Sequence, residues 1–364
     1  MDRRAISPTM TPEQTGLVEP APAPPLRLAC DTDALAHNWR ELDRLSGSAR
    51  AGAAVKADAY GTGARRATPV LAAAGCRDFF VAHWAEAADL LDLVPPAALA
   101  MLHGPLNQAE AEWARSSGVR PVLNSLAQID CWLAAGGGPC HVMVDTGINR
   151  LGLPVEALGD PRLARLEIDV LLSHLASAED DTPLNLRQQQ RWMAARQRLA
   201  HRRASLANSA GIMLGRDYHG ELTRPGLSLY GGVPCPALAS HIRQVVRPEA
   251  AILQVRELAG GETVGYNATF TAPGPMRVGV IALGYADGYL RCWSGKGVAR
   301  SGDGAALPVL GRVSMDMTVI DLAAGPSLRE GDWVGIDYAL PDAATQTGLS
   351  QYELLTSLGA RFSR

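Results

Sequence analysis

From about Leu26 to about Val245 the chain alternates short apolar runs with alanine-rich amphipathic stretches, and this alternation constrains its fold most. The runs are "AGAAVKA", "RDFFVAH", "ALAMLHG", "VRPVLNS", "CHVMVDT", "IDVLLSH" and "RRASLANS". Helix-like segments such as "TDALAHNWRELDRL" and "NLRQQQRWMAARQRLAHR" lie between them. Strands alternating with helices at this frequency build parallel βαβ units, because a parallel return needs a crossover. About eight units in roughly 220 residues suit a (β/α)8 barrel of the TIM type better than an open doubly wound sheet. No G-x-G-x-x-G follows any run. Each run ends on a polar residue (Lys56, His83, His103, Asn124, Asp145, His174, Asn208). In a barrel those ends form the mouth where chemistry is done.

After about Arg247 glycine, proline and β-branched residues take over, as in "ETVGYNATFTA", "MRVGVIALGYADGY" and "ALPVLGRVSMDMTVIDL". Short strands at close spacing with turn signals predict an all-β unit. The expected organisation is an α/β chain: a disordered or extended tail over 1–26, a barrel over 27–245 and a mostly β C-terminal domain over 246–364.

Composition removes several classes of function. A net charge of −3 leaves no basic footprint for nucleic acid, and no run is long enough to span a bilayer. The six cysteines stand singly with no CxxC pair, which is neither a zinc pattern nor a disulfide framework. Reduced thiols and the lack of an apolar h-region at the start lead us to expect a cytoplasmic protein with no metal site.

Within "AAVKADAYGTG" a lysine, Lys56, follows a run that reads as a buried strand. Lysine is almost never fully buried without a partner. Desolvation lowers its pKa, and a neutral amine is a nucleophile able to form a Schiff base. The plainer alternative is a lysine that ends the strand and snorkels to water. Farther along, "ANSAG" carries Ser209 and "TRPGLSLYGG" carries Arg224 and Gly226. A hydroxyl beside backbone N–H groups at a glycine turn can hold a phosphate, and barrels place such sites after their last two strands. With a pocketed lysine, this combination points to pyridoxal 5'-phosphate.

These segments, together with "VDTGINRLG", "SHLASAED", "GYADGY", "GRVSMD" and "YELLTSLGAR", resemble the bacterial alanine racemases, in the same order and over nearly the whole chain after the tail. The resemblance implies a barrel holding pyridoxal 5'-phosphate and a β domain that completes the partner's site. It therefore implies a homodimer that interconverts L- and D-alanine and supplies D-alanine for peptidoglycan. Lys56 resembles the lysine that carries the cofactor and serves as base on one face of the substrate. Tyr285 resembles the base on the other face, reaching in from the partner subunit. A free phenol ionises near ~10, so Tyr285 needs cationic help, which the family supplies through His174 and Arg224. Arg224 also resembles the arginine facing the pyridine nitrogen. Because a guanidinium stays protonated to above ~12, it cannot accept a proton from the ring; the resemblance thus implies a neutral ring nitrogen and a weaker electron sink, which should suppress transamination. Tyr60, Ser209, Gly226 and Leu227 resemble the phosphate contacts. Arg150 and the backbone N–H of Met315 resemble the groups that hold the substrate carboxylate.

Three positions depart from the family pattern. Thr62 replaces a frequent histidine. Met143 stands where many members have a carbamylated lysine, so Arg150 is expected to have another partner: a bound anion such as chloride, or Asp145 or Asn149. Ala360 stands where some members have a tyrosine gate, which would loosen the pocket toward serine or larger amino acids. A serine or broad-specificity racemase is therefore the nearest alternative. A decarboxylase on the same plan would carry a carboxylate for the pyridine nitrogen, and a single-barrel carrier would lack "GYADGY" and "GRVSMD".

Overall fold

The computed structural model describes residues 22–363. Of the expected tail, residues 1–21 lie outside the described residues, and Leu26 already begins a strand. Leu26–Cys30 alternates buried Leu26 and Leu28 with exposed neighbours. It pairs antiparallel with Val246–Leu258, Leu26 opposite Ala250 and Cys30 opposite Val246. Residues 27–30, assigned above to the barrel, thus belong to the antiparallel sheet instead. Arg27 on the strand's exposed face stacks 3.6 Å over the Trp333 ring.

Asp31 then turns the chain into the helix Thr32–Leu45, its carboxylate accepting the N–H of Ala34 at 2.8 Å. Such a cap stabilises by about 1 kcal/mol. Leu35, Asn38, Trp39 and Leu42 form the buried stripe of that helix. Seven of the apolar runs named above become strands of one curled parallel sheet. Their order is Ala53–Ala54, Phe79–Val81, Leu99–Met101, Arg120–Leu123, Pro139–Asp145, Glu167–Leu172 and Arg203–Ser205. The short strand Leu222–Thr223 pairs in parallel with Arg50–Ala51. On its other side, Glu221 N–H donates to Ala204 O at 2.9 Å and Arg224 N–H to Ala207 O at 2.8 Å.

The second sheet is antiparallel and returns on itself. From Val246–Leu258 it runs through Met276–Ile281, Thr318–Asp321, Ala306–Leu310, Val298–Arg300 and Trp333–Ile336, and the last pairs again with the first. Its interior holds stacked Tyr289 and Trp293, ring centroids 5.0 Å apart, with Tyr338 at 5.8 Å from Trp293. The helix Gln351–Ser357 follows this sheet and lies against the Lys56–Tyr60 turn. Gln351 exchanges two hydrogen bonds with the backbone of Val233, at 2.8 and 2.9 Å.

Candidate functional site

Five of the seven strand-end residues named above, Lys56, His83, His103, His174 and Asn208, line one cavity of about 920 Å³. Asn124 and Asp145 do not. The Asn124 amide donates to the carbonyls of Leu102, His103 and Val122. One Asp145 oxygen accepts the N–H groups of Gly147, Ile148 and Asn149 at 2.7, 3.0 and 3.2 Å. Tyr60, Met143, Arg150, Ser209, Arg224, Gly226 and Leu227 complete the list of expected residues on the cavity wall.

Lys56 begins a turn of unusual hand. Ala57, Asp58, Ala59 and Tyr60 all have φ between 52° and 56°, where an L-residue brings Cβ too close to its own carbonyl. At roughly 1–2 kcal/mol per residue, the turn stores on the order of several kcal/mol. Hydrogen bonds hold it: Gly61 N–H to Ala57 O and Gly63 N–H to Asp58 O, both 2.9 Å, and Thr62 hydroxyl to Ala59 O, 2.6 Å. Thr62 is thus a closing contact for the turn. The Lys56 amine is half-buried, and desolvation lowers its pKa, aided by the cations Arg150 and Arg224 and opposed by Glu86. A pocketed amine beside two guanidiniums is a nucleophile more readily than a surface cation.

Around it the remaining groups are set for an anion and a ring. The Ser209 Oγ accepts the N–H of Gly226 at 3.0 Å and of Ser228 at 3.3 Å, leaving its own proton to donate. A Cβ on Gly226 would stand 2.2 Å from the Tyr60 hydroxyl, so only glycine lets that phenol reach the turn. Tyr60 is buried, stacked at 5.0 Å on Tyr230, and burial pushes its phenol up to about 12, so it acts as a donor. Arg224 is buried, donates to Ser205 Oγ and Ser173 O, and among the described residues has no carboxylate within ion-pair distance. Burial lowers its pKa to about 10, still cationic at neutrality. His174 is pushed down to about 3 by burial and by Arg224, Arg150 and Lys56, so it is a neutral imidazole.

Two expectations about Arg150 change. Its side chain has no protein partner among the described residues, and Asp145, committed to three backbone amides, does not orient it. Asn149 lies with Asp145 in a separate cleft and takes a left-handed φ of 56° that turns the chain just before Arg150. Met143 is buried on the cavity wall. Ala360 is exposed, but a phenol still reaches the cavity. It belongs to Tyr352, whose hydroxyl donates to Glu179 Oε1 at 3.0 Å and whose ring lies 6.3 Å from Tyr60.

Tyr285 and Met315 are absent from this cavity and lie together on the antiparallel unit. Tyr285 N–H donates to Ser314 O at 3.0 Å and Ala286 N–H to Met315 O at 2.9 Å. A Cβ on Gly284 would sit 2.3 Å from Met315 O. Arg361 ties the pair together, 3.1 Å from Asp287 and 2.7 Å from Asp316. Met315 is 53% and Met317 44% exposed, an apolar rim beside a half-buried Tyr285. Reading the sequence missed Glu86 and Tyr352. The one local signal for Glu86 is its place three residues after His83, at the start of the helix Trp84–Ala88.

Known proteins resemble this chain over both of its units. A model of "Alanine racemase, N-terminal domain" matches residues 30–234, and one of "Alanine racemase, C-terminal domain" matches 245–364. An alanine racemase of Methylobacterium nodulans is 43% identical over 354 residues, covering 93% of this chain and 95% of the relative. A biosynthetic alanine racemase of Agrobacterium fabrum is 40% identical over 365 residues, covering 93% of each chain. Among solved structures, alanine racemase of Bartonella henselae with covalently bound pyridoxal phosphate superposes with a TM-score of 0.86 at 36% identity, covering 94% of this chain and 99% of that one.

Proposed function

Because the chain belongs to the alanine racemase family, we propose that it interconverts L- and D-alanine at the Lys56 cavity with pyridoxal 5'-phosphate as cofactor. The observation that carries the two-base part is the separation of the bases. Lys56 stands in the cavity, and Tyr285 with Met315 stands on an exposed rim outside it. A homodimer that sets the rim of one copy at the cavity of the other is our reading of that separation.

The residues fit the cofactor. Ser209 Oγ–H, Tyr60 Oη–H and the turn at Gly226–Leu227 suit its phosphate, and the carboxylate-free Arg224 suits a neutral ring nitrogen. Lys56, the amine with a lowered pKa, suits the covalent attachment. When bound, the cofactor supplies an electron sink that acidifies the α-proton of alanine. Lys56 Nζ takes or returns that proton on one face. The partner subunit's Tyr285 Oη does so on the other, since inversion without turning the substrate needs an acceptor on each side. Arg150 donates to the substrate carboxylate, joined by the N–H of Met315 from the partner. His174, being neutral, adds no positive charge beside Arg224 and can pass a hydrogen bond toward the phenol.

The same reading makes the parallel sheet a closed eight-stranded (β/α)8 barrel extending to about residue 245, with Leu26–Cys30 joined to a β-rich unit over 246–364. The hydrogen bonds on both sides of Leu222–Thr223 support closure. A cytoplasmic enzyme supplying D-alanine for peptidoglycan accords with the biosynthetic designation of the Agrobacterium relative.

Subunit mixing tests this function. Lys56→Ala and Tyr285→Phe are each expected to abolish racemisation. Co-assembled, a mixed dimer carries one site with both defects and one with neither. Random exchange should restore roughly a quarter of wild-type activity. Demonstrably mixed dimers without activity would place both bases in one chain and refute the composite site.

A further inference from the structure

A side chain from outside the left-handed turn that begins at Lys56 ties down its first amide. Glu86, half-buried on the cavity wall, spends both carboxylate oxygens on backbone amides. Its Oε1 accepts the N–H of Ala57 at 2.7 Å. Its Oε2 accepts those of Ala82 at 2.7 Å and His83 at 3.2 Å, at the end of the Phe79–Val81 strand. On the other side of Lys56, Val55 N–H donates to Phe80 O at 2.9 Å. The residue bearing the amine is therefore bracketed by two ties to the same neighbouring strand end.

We propose that Glu86 is a positioning residue for Lys56, its carboxylate fixing the first amide of the strained turn and so the direction in which the amine points. The proposal rests on Lys56 as the cofactor's attachment point. Three backbone N–H groups engage the carboxylate, one on Oε1 and two on Oε2, which holds it in a structural role. Its reach is structural, across 29 residues of sequence. The alternative role, capping the short helix Trp84–Ala88, uses only Oε2.

Glutamine separates these roles. A carboxamide has one carbonyl oxygen, and two amides compete for it at the helix start against one at Ala57. Glu86→Gln therefore keeps the helix cap and turns its NH2 toward the Ala57 N–H, leaving that donor unpaired. In the holoenzyme, amide exchange across residues 55–63 should quicken by about tenfold or more, and kcat should fall by about 10–100-fold with KM for alanine little changed. Adding Ala57→Gly, which makes the left-handed φ of 52° costless, should return kcat to within a few-fold of wild type. Where Glu86→Gln alone folds poorly, the double variant carries the test, because glycine removes the strain that the carboxylate opposes.

A Glu86→Gln enzyme with wild-type kcat, or a double variant no more active than the single, would overturn the positioning role. Borohydride labelling in wild type keeps the two readings apart. Label missing from Lys56 refutes the functional reading. Label present with unchanged exchange in Glu86→Gln refutes only the role of Glu86.

Discussion

Ala57→Gly alone should stabilise the protein, the reverse of what this substitution does in an ordinary helix. Ala57 has φ 52° and ψ 48° and is exposed, so its methyl contributes little burial to set against the strain. Relief of a left-handed alanine returns about 1–2 kcal/mol. The added backbone entropy of glycine in the unfolded chain offsets about 0.5–1 kcal/mol. The net is a gain of up to about 1.5 kcal/mol, centred on about 0.75 kcal/mol. In a right-handed helix the same change would cost about 0.5–1 kcal/mol, so the two conformations give opposite signs. Urea unfolding of holoenzyme at fixed protein and cofactor concentration reads the difference, since both bind only the native state. The midpoint should rise with an unchanged slope. A lower midpoint would show that residue 57 is not held in the left-handed region and would remove the strain on which the positioning of Lys56 depends.

The chain's only other lysine, Lys296, donates its amine to Gln346 O at 3.3 Å on the antiparallel unit, so borohydride reduction of purified protein should fix the cofactor on Lys56; peptide mapping that finds it on Lys296, or nowhere, would refute the assignment. His141 is buried in the parallel sheet with Nδ1 accepting Val170 N–H at 3.2 Å. Burial pushes its pKa from near 6.5 down to about 4, against the pull of Asp169 and with the push of Arg203. The folded state then holds fewer protons than the unfolded one between those values, so stability is full above about 6.5 and declines as pH falls toward 4. Denaturant midpoints across this window should fall less for His141→Gln than for wild type, and equal slopes would show that His141 titrates normally.

Residues close in sequence, or repeated at one end of every strand, could be read without a structure. Parallel strands all point one way, so the residue ending each run faces the same mouth. On that ground five of the seven run-ending residues, Lys56, His83, His103, His174 and Asn208, line one cavity, while Asn124 and Asp145 do not. The change of texture near Arg247 marked the second sheet for the same local reason, because strand spacing and turn residues report on nearby backbone. What the sequence could not decide were choices made by long-range partners. Leu26–Cys30 alternates like any half-buried strand, and only its pairing with Val246–Leu258 puts it in the antiparallel sheet. Asp145 looked able to reach Arg150, yet three amides of its own turn claim it. Tyr352, held by Glu179 at 173 residues' separation, brings a phenol to the cavity wall that Ala360 does not supply. The turn after Lys56 is the extreme case. Local preference in Ala57, Asp58, Ala59 and Tyr60 opposes a left-handed backbone at every position. Contacts from outside the turn oppose that preference, among them the Glu86 carboxylate on the Ala57 amide and the stacking of Tyr60 on Tyr230.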